Sequence, residues 1–437
     1  MRLCLKSFLI LFLAVIPALG YREWVFVLLL SRPGGFPFAL EALEKARELN
    51  PASPKPLVLE GEIYLSRGLY DYAEKAFSLA VEMGGGIEAL TGLGDALFAR
   101  GKKEEAVAAW RQALEIKPHD PALHRRIGLA LFNDGRFYAA ASHLQEANDP
   151  CLLALALAPI NPAEATRLAE NCHGFEGLKS ILSISDKPMQ LRELGKFYIA
   201  MGEYGAAKVV LEISLAVCPE SAEGWAFLGH ALSRLGLDPS QAFAKSLELD
   251  YTFPVGHYFI GLHFLAQGNL ERARQELLYA LSLEPLNPYF QAALAEVEIQ
   301  RGNYQEAEVR LKKAVELAPE EPSFRLYLGE LQIGILMRTD QEALENVLKA
   351  IEISPSNPKG WELAGIAYYY AGRSALAEPY LKKALELSPD SPRALYYLGL
   401  VYHLEGQKGK ARQLFRRIQE VAPASIWAGR AYWAERR

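Results

Sequence analysis

Apolar residues recur along this chain at helical spacing, and the whole pattern then recurs as a block of about 34 residues. The plainest copies are 87–120, 254–287, 288–321, 358–391 and 392–425; less regular ones are 54–86, 121–150, 188–221, 222–253 and 322–357. A small residue stands at position 8 of every copy: Gly61, Gly94, Gly128, Gly195, Gly229, Gly261, Ala295, Gly329, Gly365 and Gly399. Glycine mid-helix costs about 1 kcal/mol against alanine, so position 8 predicts a neighbouring helix in close approach. Glycine returns at position 15 (Gly68, Gly101, Gly135, Gly202, Gly236, Gly268, Gly302, Gly372 and Gly406), where it predicts a left-handed helix cap. Alanine at position 20, such as Ala106 or Ala377, predicts tight packing of a second helix on the first. Proline at position 32 (Pro118, Pro219, Pro285, Pro319, Pro355, Pro389 and Pro423) ends that second helix. Large apolar residues at positions 4, 7, 11 and 24, for example Trp361, Leu398, Tyr402 and Phe415, fill the layer between. Each copy is thus a helix-turn-helix that cannot bury its apolar face alone, and stacked copies bury a continuous core.

Three segments carry a closer resemblance. Trp225–Gly229 and Trp361–Gly365 follow a W-x-x-L-G opening, with Ala364 replacing the Leu of the second. Ala384–Pro389 follows the matching closing segment. The chain resembles the tetratricopeptide repeat family over residues 34–425. The resemblance implies an all-α solenoid of about ten repeats wound as a right-handed superhelix. Copy 222–253 is short at Leu237–Ser240, and copy 322–357 is long at Ile333–Thr339 and lacks the position-15 glycine. Residues 151–187 show no clean repeat. Asn161-Pro162 nonetheless reads as a helix N-cap followed by proline at the first helical position. This stretch is either an eroded repeat or a joint. The expected organisation is a leader at 1–20, a partial repeat at 21–53, repeats at 54–150, the degenerate helical segment 151–187, repeats at 188–425 and a capping helix at 426–437, with Trp427, Tyr432 and Trp433 covering the last repeat.

The first residues read separately. Arg2 and Lys6 precede an unbroken apolar run from Phe8 to Ile16, and Ala18 and Gly20 stand at −3 and −1 of a cut before Tyr21. That is the layout of a secretory signal peptide. The rival is a retained membrane anchor, with membrane association through residues 7–30. The run Ser7–Leu19 is short for a span, which needs about 20 residues. Either way the repeats are expected on the extracytoplasmic side, periplasmic in a Gram-negative cell. If 21–32 is the first helix of a repeat, Trp24–Leu30 belongs to repeat core, which favours cleavage.

Composition narrows the function. The chain has 437 residues, 51% hydrophobic and 23% charged, with 47 Lys plus Arg against 52 Asp plus Glu. A net charge of −5 speaks against a nucleic-acid partner. Four cysteines exclude a disulfide-dense scaffold. Cys4 would leave with a signal peptide. Cys151 and Cys172 fall at one end of a predicted helical hairpin, which makes them a candidate disulfide outside the cytoplasm. No phosphate loop, nucleophile elbow, zinc-protease or C-x-x-C motif occurs, the eight histidines are dispersed, and no metal or cofactor is called for.

The family resemblance places ligands on a concave surface at repeat positions 2, 5, 9, 12 and 13. Carried over, those positions hold Tyr258, Tyr289, Tyr369, Tyr370, Tyr396 and His403, with Arg393, Glu296, Glu330 and Glu362 as polar fixing points. The N-terminal copies offer Arg125, Arg192, Lys196 and Arg234 with Asp95 and Glu62. His230 and His403 read as hydrogen-bonding surface residues. The Lys/Asn/Arg set with which one subgroup grips chaperone tails is absent. The expectation is a non-catalytic scaffold or adaptor of the cell envelope that binds a peptide or protein segment. The alternative is an accessory subunit for envelope polysaccharide export or assembly, binding glycan on the same aromatics.

Overall fold

A computed structural model describes residues 35–423 and 425–436. The expected leader at 1–20, the helix expected at 21–32 and the run Trp24–Leu30 lie outside the described residues. Among the described residues are 25 α-helices, one π-helix and no strand. Helix α1 spans Gly35–Leu49. Then follow the pairs α2/α3 (Lys55–Ser66, Tyr70–Glu82), α4/α5 (Gly86–Ala99, Lys103–Ile116) and α6/α7 (Pro121–Asn133, Phe137–Glu146). Three short helices come next, α8 (Pro150–Leu157), α9 (Pro162–Ala169) and α10 (Glu176–Leu182). Pairing resumes with α11/α12 (Lys187–Ala200, Tyr204–Val217), α13/α14 (Ala222–Arg234, Ser240–Leu249) and α15/α16 (Pro254–Ala266, Leu270–Leu283). The last elements are α17/α18 (Pro288–Gln300, Tyr304–Leu317), α19 (Pro322–Gly329) with the π-helix Glu330–Ile335, α20 (Gln341–Ile353), α21/α22 (Pro358–Tyr370, Ser374–Leu387), α23/α24 (Pro392–Leu404, Lys408–Val421) and α25 (Ile426–Arg436). The chain divides into two compact units, Leu40–His263 and Phe264–Arg437. No described helix is long and apolar enough to cross a membrane.

The repeated residues do what their chemistry requires. All nine position-15 glycines have φ between 70° and 81°, a region that only glycine enters freely, and each turns the chain from a first helix into a second. The position-8 glycines face the position-24 side chain of their own copy. A Cβ on Gly94 would meet Trp110 Nε1 at 2.3 Å, on Gly128 Leu144 Cγ at 2.6 Å, and on Gly399 Phe415 Cε1 at 2.4 Å. The large side chain is seated directly on bare backbone. The position-20 alanines Ala73, Ala106, Ala140, Ala207, Ala273, Ala307, Ala343 and Ala377 are fully buried at 0%. Asp120, Ser221, Asn287, Asn357 and Ser391 cap first helices by accepting from backbone N–H groups one turn on.

The irregular copies are accommodated locally. In copy 222–253, α14 starts at Ser240 and has 10 residues, against 14 in α5, yet Phe243 still seats on Gly229. In copy 322–357 the extra length widens one turn into the π-helix, where the Leu336 N–H donates to Leu331 O at 2.9 Å. Met337, with φ of 54°, takes the left-handed position that glycine fills elsewhere.

The segment 151–187 is not a loose joint. Asn161 caps α9 as expected, accepting from the Glu164 N–H at 3.3 Å. Ala154, Leu155, Ala165 and Leu178 are buried in one core with Leu131, Leu194 and Tyr198. The Tyr198 hydroxyl donates to Leu155 O at 2.6 Å. Helix α12 packs back on α6: a Cβ on Gly205 would lie 1.8 Å from Asn133 O, and one on Gly135 2.3 Å from Val209. The stack thus continues from copy 121–150 to copy 188–221, with the short helices filling beside it.

Helix α25 closes on α23 and α24 through Trp427 and the buried Ala428 and Ala431, with Trp427 5.4 Å from Tyr396. Tyr432 and Trp433 do not share in this, contrary to expectation. They are 43% and 66% exposed, because the helical period that turns 427, 428 and 431 inward turns 432 and 433 out.

Candidate functional site

The expected site residues do not form one set. Tyr258 lies in the N-terminal unit, half-buried against Phe259 at 5.5 Å. The other nine lie in the C-terminal unit, on the first helices α17, α21 and α23 and the π-helix that continues α19.

Three of the polar fixing points are already committed to one another. Arg393 Nη1 donates to Glu330 Oε1 at 2.7 Å, and Arg393 Nε lies 3.4 Å from Glu362 Oε1. The Ser391 hydroxyl donates to Glu362 at 2.6 Å. Burial pushes the Glu362 carboxyl above its usual range, and the Ser391 bond and Arg393 pull against it. Lys359 adds a 3.7 Å contact to Glu330 and lies over the Tyr327 ring. Glu296 accepts from the Tyr327 hydroxyl, which burial and this carboxylate hold well above the phenol range. The N-terminal unit repeats the device: Arg126 reaches Asp95 through two nitrogens at 2.8 and 3.1 Å, and Lys196 pairs with Glu223 at 2.9 Å. These inner-face pairs tie neighbouring first helices together within each unit.

The tyrosines are likewise half structural. Tyr369, Tyr370 and Tyr396 surround Tyr397 at 5.5, 5.8 and 5.4 Å, and the Tyr370 and Tyr397 hydroxyls share a 2.6 Å hydrogen bond. Trp427 closes the cluster, with the Arg430 guanidinium 4.8 Å over its ring. What stays accessible on this side is Tyr289 at 54%, Leu404 at 63%, the Lys359 ammonium and Arg430, with His403 partly covered. Tyr289 meets Phe324 edge-on at 5.3 Å, which holds its ring in place.

Tyr327 and Tyr397 were missed because both occupy position 6, outside the positions carried over. The signal was available: position 6 lies three or four residues from positions 2, 9 and 10 and so falls on the seam between neighbouring first helices. In the N-terminal unit His230 is mostly covered rather than a surface hydrogen-bonding group. It stacks on Phe259 at 4.2 Å, and burial, with help from Arg234, lowers its pKa to about 4. Arg234 lies over the Tyr204 ring at 5.2 Å. His257 and His263 form no ligand pair; His257 Nε2 faces Tyr251 O and His263 Nδ1 faces the Ser233 hydroxyl. No metal-binding cluster occurs among the described residues. Cys151 and Cys172 are joined as a disulfide with Cα atoms 5.6 Å apart, and Cys218 is a free, exposed thiol.

Family models for tetratricopeptide repeats match three stretches, residues 94–135, 264–331 and 363–426. No curated protein matches the chain. Among solved structures the chain is similar to yeast Tom70, at 17% identity over 88% of this chain and 95% of that one, TM-score 0.41. It is similar to YrrB, described as a TPR protein with an unusual peptide-binding site, at 20% identity over 45% and 98%, TM-score 0.38. It is also similar to the Cut9–Hcn1 hetero-tetramer of the APC/C, at 14% identity over 100% and 99%, TM-score 0.48. The helix pairs and the left-handed turn glycines recur in all three stretches that the family models match, and the chain is a tetratricopeptide repeat protein.

Proposed function

We propose that this protein is a non-catalytic adaptor that holds an extended protein segment along the first helices of its C-terminal unit. The observation that carries the reading is that Tyr289, Lys359, Leu404 and Arg430 stay accessible on this side while Glu330–Arg393 and Tyr327–Glu296 tie the first helices beneath them. A preformed surface loses little ordering entropy on binding, and exposed aromatic and Arg anchors suit a peptide. Glycan binding is less favoured, because Tyr369, Tyr370 and Tyr396 pack their rings against Tyr397 instead of offering faces to a sugar.

We further propose an extracytoplasmic location in the cell envelope. The basic start, the apolar run Phe8–Ile16 and the small residues before Tyr21 support export, and the Cys151–Cys172 pair suits an oxidising compartment. Affinity purification of the full chain from its native host tests the first reading. One protein should be enriched and should be lost with Tyr289→Asp plus Leu404→Asp at unchanged circular dichroism; retention would refute the assignment. Fractionation with N-terminal sequencing tests the second. A chain recovered in the cytoplasm from Met1 with two free thiols at 151 and 172 would refute it.

A further inference from the structure

Helix α25 stands where the first helix of a further repeat would stand. It follows copy 392–425 in register, so residues 426–436 take repeat positions 1–11. Its inner side packs on α23 and α24 through Trp427, Ala428 and Ala431. In a complete copy, positions 4 and 8 of the first helix face the second helix of the same copy. Trp361, at position 4, meets Tyr380 of α22 at 5.7 Å, and a Cβ on Gly365, at position 8, would meet Leu381 Cγ of α22 at 2.5 Å. Among the described residues no second helix covers that edge of α25. Ile426 and Trp433 are 69% and 66% exposed there, and a Cβ on Gly429 would meet nothing within 4 Å.

On this edge the two residue types are exchanged. Gly429 holds position 4, where Trp225 and Trp361 stand in their copies, and Trp433 holds position 8, where every other copy has glycine or alanine. A second helix of the regular kind does not fit, because its large position-24 side chain would meet an indole in place of bare backbone. The edge instead carries both halves of a seat, an exposed aromatic and an open glycine one turn before it. Residues four apart share a helix face. When two such helices lie antiparallel about a twofold axis, residue 429 of each faces residue 433 of the other. Each indole then rests on a bare glycine, as Phe415 rests on Gly399 within the chain. Ile426 flanks the seat, and the one charged residue between Ile426 and Trp433 is Arg430, whose guanidinium lies back over the Trp427 ring at 4.8 Å.

We propose that α25 pairs with α25 of a second copy in an antiparallel twofold dimer, with Trp433 of each copy seated on Gly429 of the partner subunit. The contact uses neither Tyr289 nor Leu404, so the first-helix face stays open in both copies. An isologous contact closes at two copies. One helix from each copy buries roughly 1,000 Å² or less in total, the size of a weak dimer.

The test is sedimentation equilibrium of the protein purified from its native host, over about 1–300 μM. Monomer and dimer should interconvert with concentration, and nothing larger should form. Trp433→Ala should weaken the dimer by about tenfold or more. Gly429→Leu, which blocks the seat on an open helix surface, should do the same at unchanged circular dichroism. The double variant sets the larger new side chain opposite the smaller one and should recover part of the association, as should a mixture of the two single variants. Gly429→Ala, stabilising in the dilute monomer, should weaken the dimer. Tyr289→Asp with Leu404→Asp should leave it within about twofold. A monomer across the whole range would overturn the proposal. So would growth into larger species, a dimer that tolerates Gly429→Leu, or one lost with Tyr289→Asp plus Leu404→Asp.

Discussion

Arg393 on α23 donates to Glu330 at the start of the π-helix, 63 residues back and past the whole intervening helix α21. The bond needs room that only glycine leaves. A Cβ on Gly334 would fall 2.4 Å from Glu330 Oε1 and 3.0 Å from Arg393 Nη2. The pair thus ties three consecutive first helices, with Glu362 of α21 held between them. Arg393→Ala would remove the shared cation from the partly buried Glu330 and Glu362 carboxylates, which keep only Lys359 and Ser391, and a loss of about 1–2 kcal/mol is expected. Gly334→Ala should lose part of the same energy. A double-mutant cycle with Glu330→Gln, read by urea unfolding, checks this; additive losses would show that the pair does not couple the helices.

The glycine seats make an opposite pair of predictions. Gly94→Ala and Gly399→Ala force Trp110 and Phe415 off their seats and should cost about 1–3 kcal/mol. Phe415→Leu should recover part of the loss in the Gly399→Ala chain. Gly429→Ala, on an open helix surface, should instead stabilise by about 0.5–1 kcal/mol. Thermal melting of the three variants decides the point, since a uniform sign would contradict the packing described.

Acid should weaken the N-terminal unit. His143, His230 and His263 all have lowered pKa values, His230 to about 4, chiefly because burial disfavours the imidazolium. His143 Nδ1 also lies 3.0 Å from His124 Nδ1, and His124 Nε2 faces Pro118 O at 2.8 Å. His124 and Arg111 also oppose a charge on His143, and Glu146 favours it. The unfolded imidazoles, near 6.5, take up protons first. Stability is therefore full above about pH 6.5 and falls as pH drops toward 4, with His230 contributing up to roughly 3 kcal/mol. Urea midpoints across this range should decline, and His230→Gln should flatten the decline.

The Cys151–Cys172 bridge closes 21 residues around α8 and α9, helices of eight residues each. Such helices do not persist alone in water. Removing a cross-link over a loop of this length should cost about 3 kcal/mol. Cys151→Ser with Cys172→Ser should lower the midpoint of the N-terminal unit, and hydrogen exchange should rise first in 150–172.

Most of the helix pairing is legible because each repeat position has one local task. A glycine at repeat position 15, such as Gly101, needs a left-handed turn. One at repeat position 8, such as Gly94, needs a near neighbour. Both follow from the residue type alone. The Cys151–Cys172 juxtaposition is legible for a similar reason, since it rests on hairpin geometry. The site is less legible. Tyr397 and Arg393 act across seams, and their partners depend on the tilt between copies, which no single copy encodes. The π-helix is invisible in the pattern because a short surplus of chain can be absorbed in a helix or in a turn. The apolar run 152–158 has no period, so it does not disclose which side the core lies on.

The central claim is that the first-helix face of the C-terminal unit holds a protein segment. A photo-crosslinking residue placed at 289 or 404 in the native host, against controls at Tyr304 and Lys313 on second helix α18, tests it most directly. The account predicts one protein adduct shared by 289 and 404 and absent from both controls. Adducts spread equally over all four positions, or carbohydrate in place of protein, would contradict it.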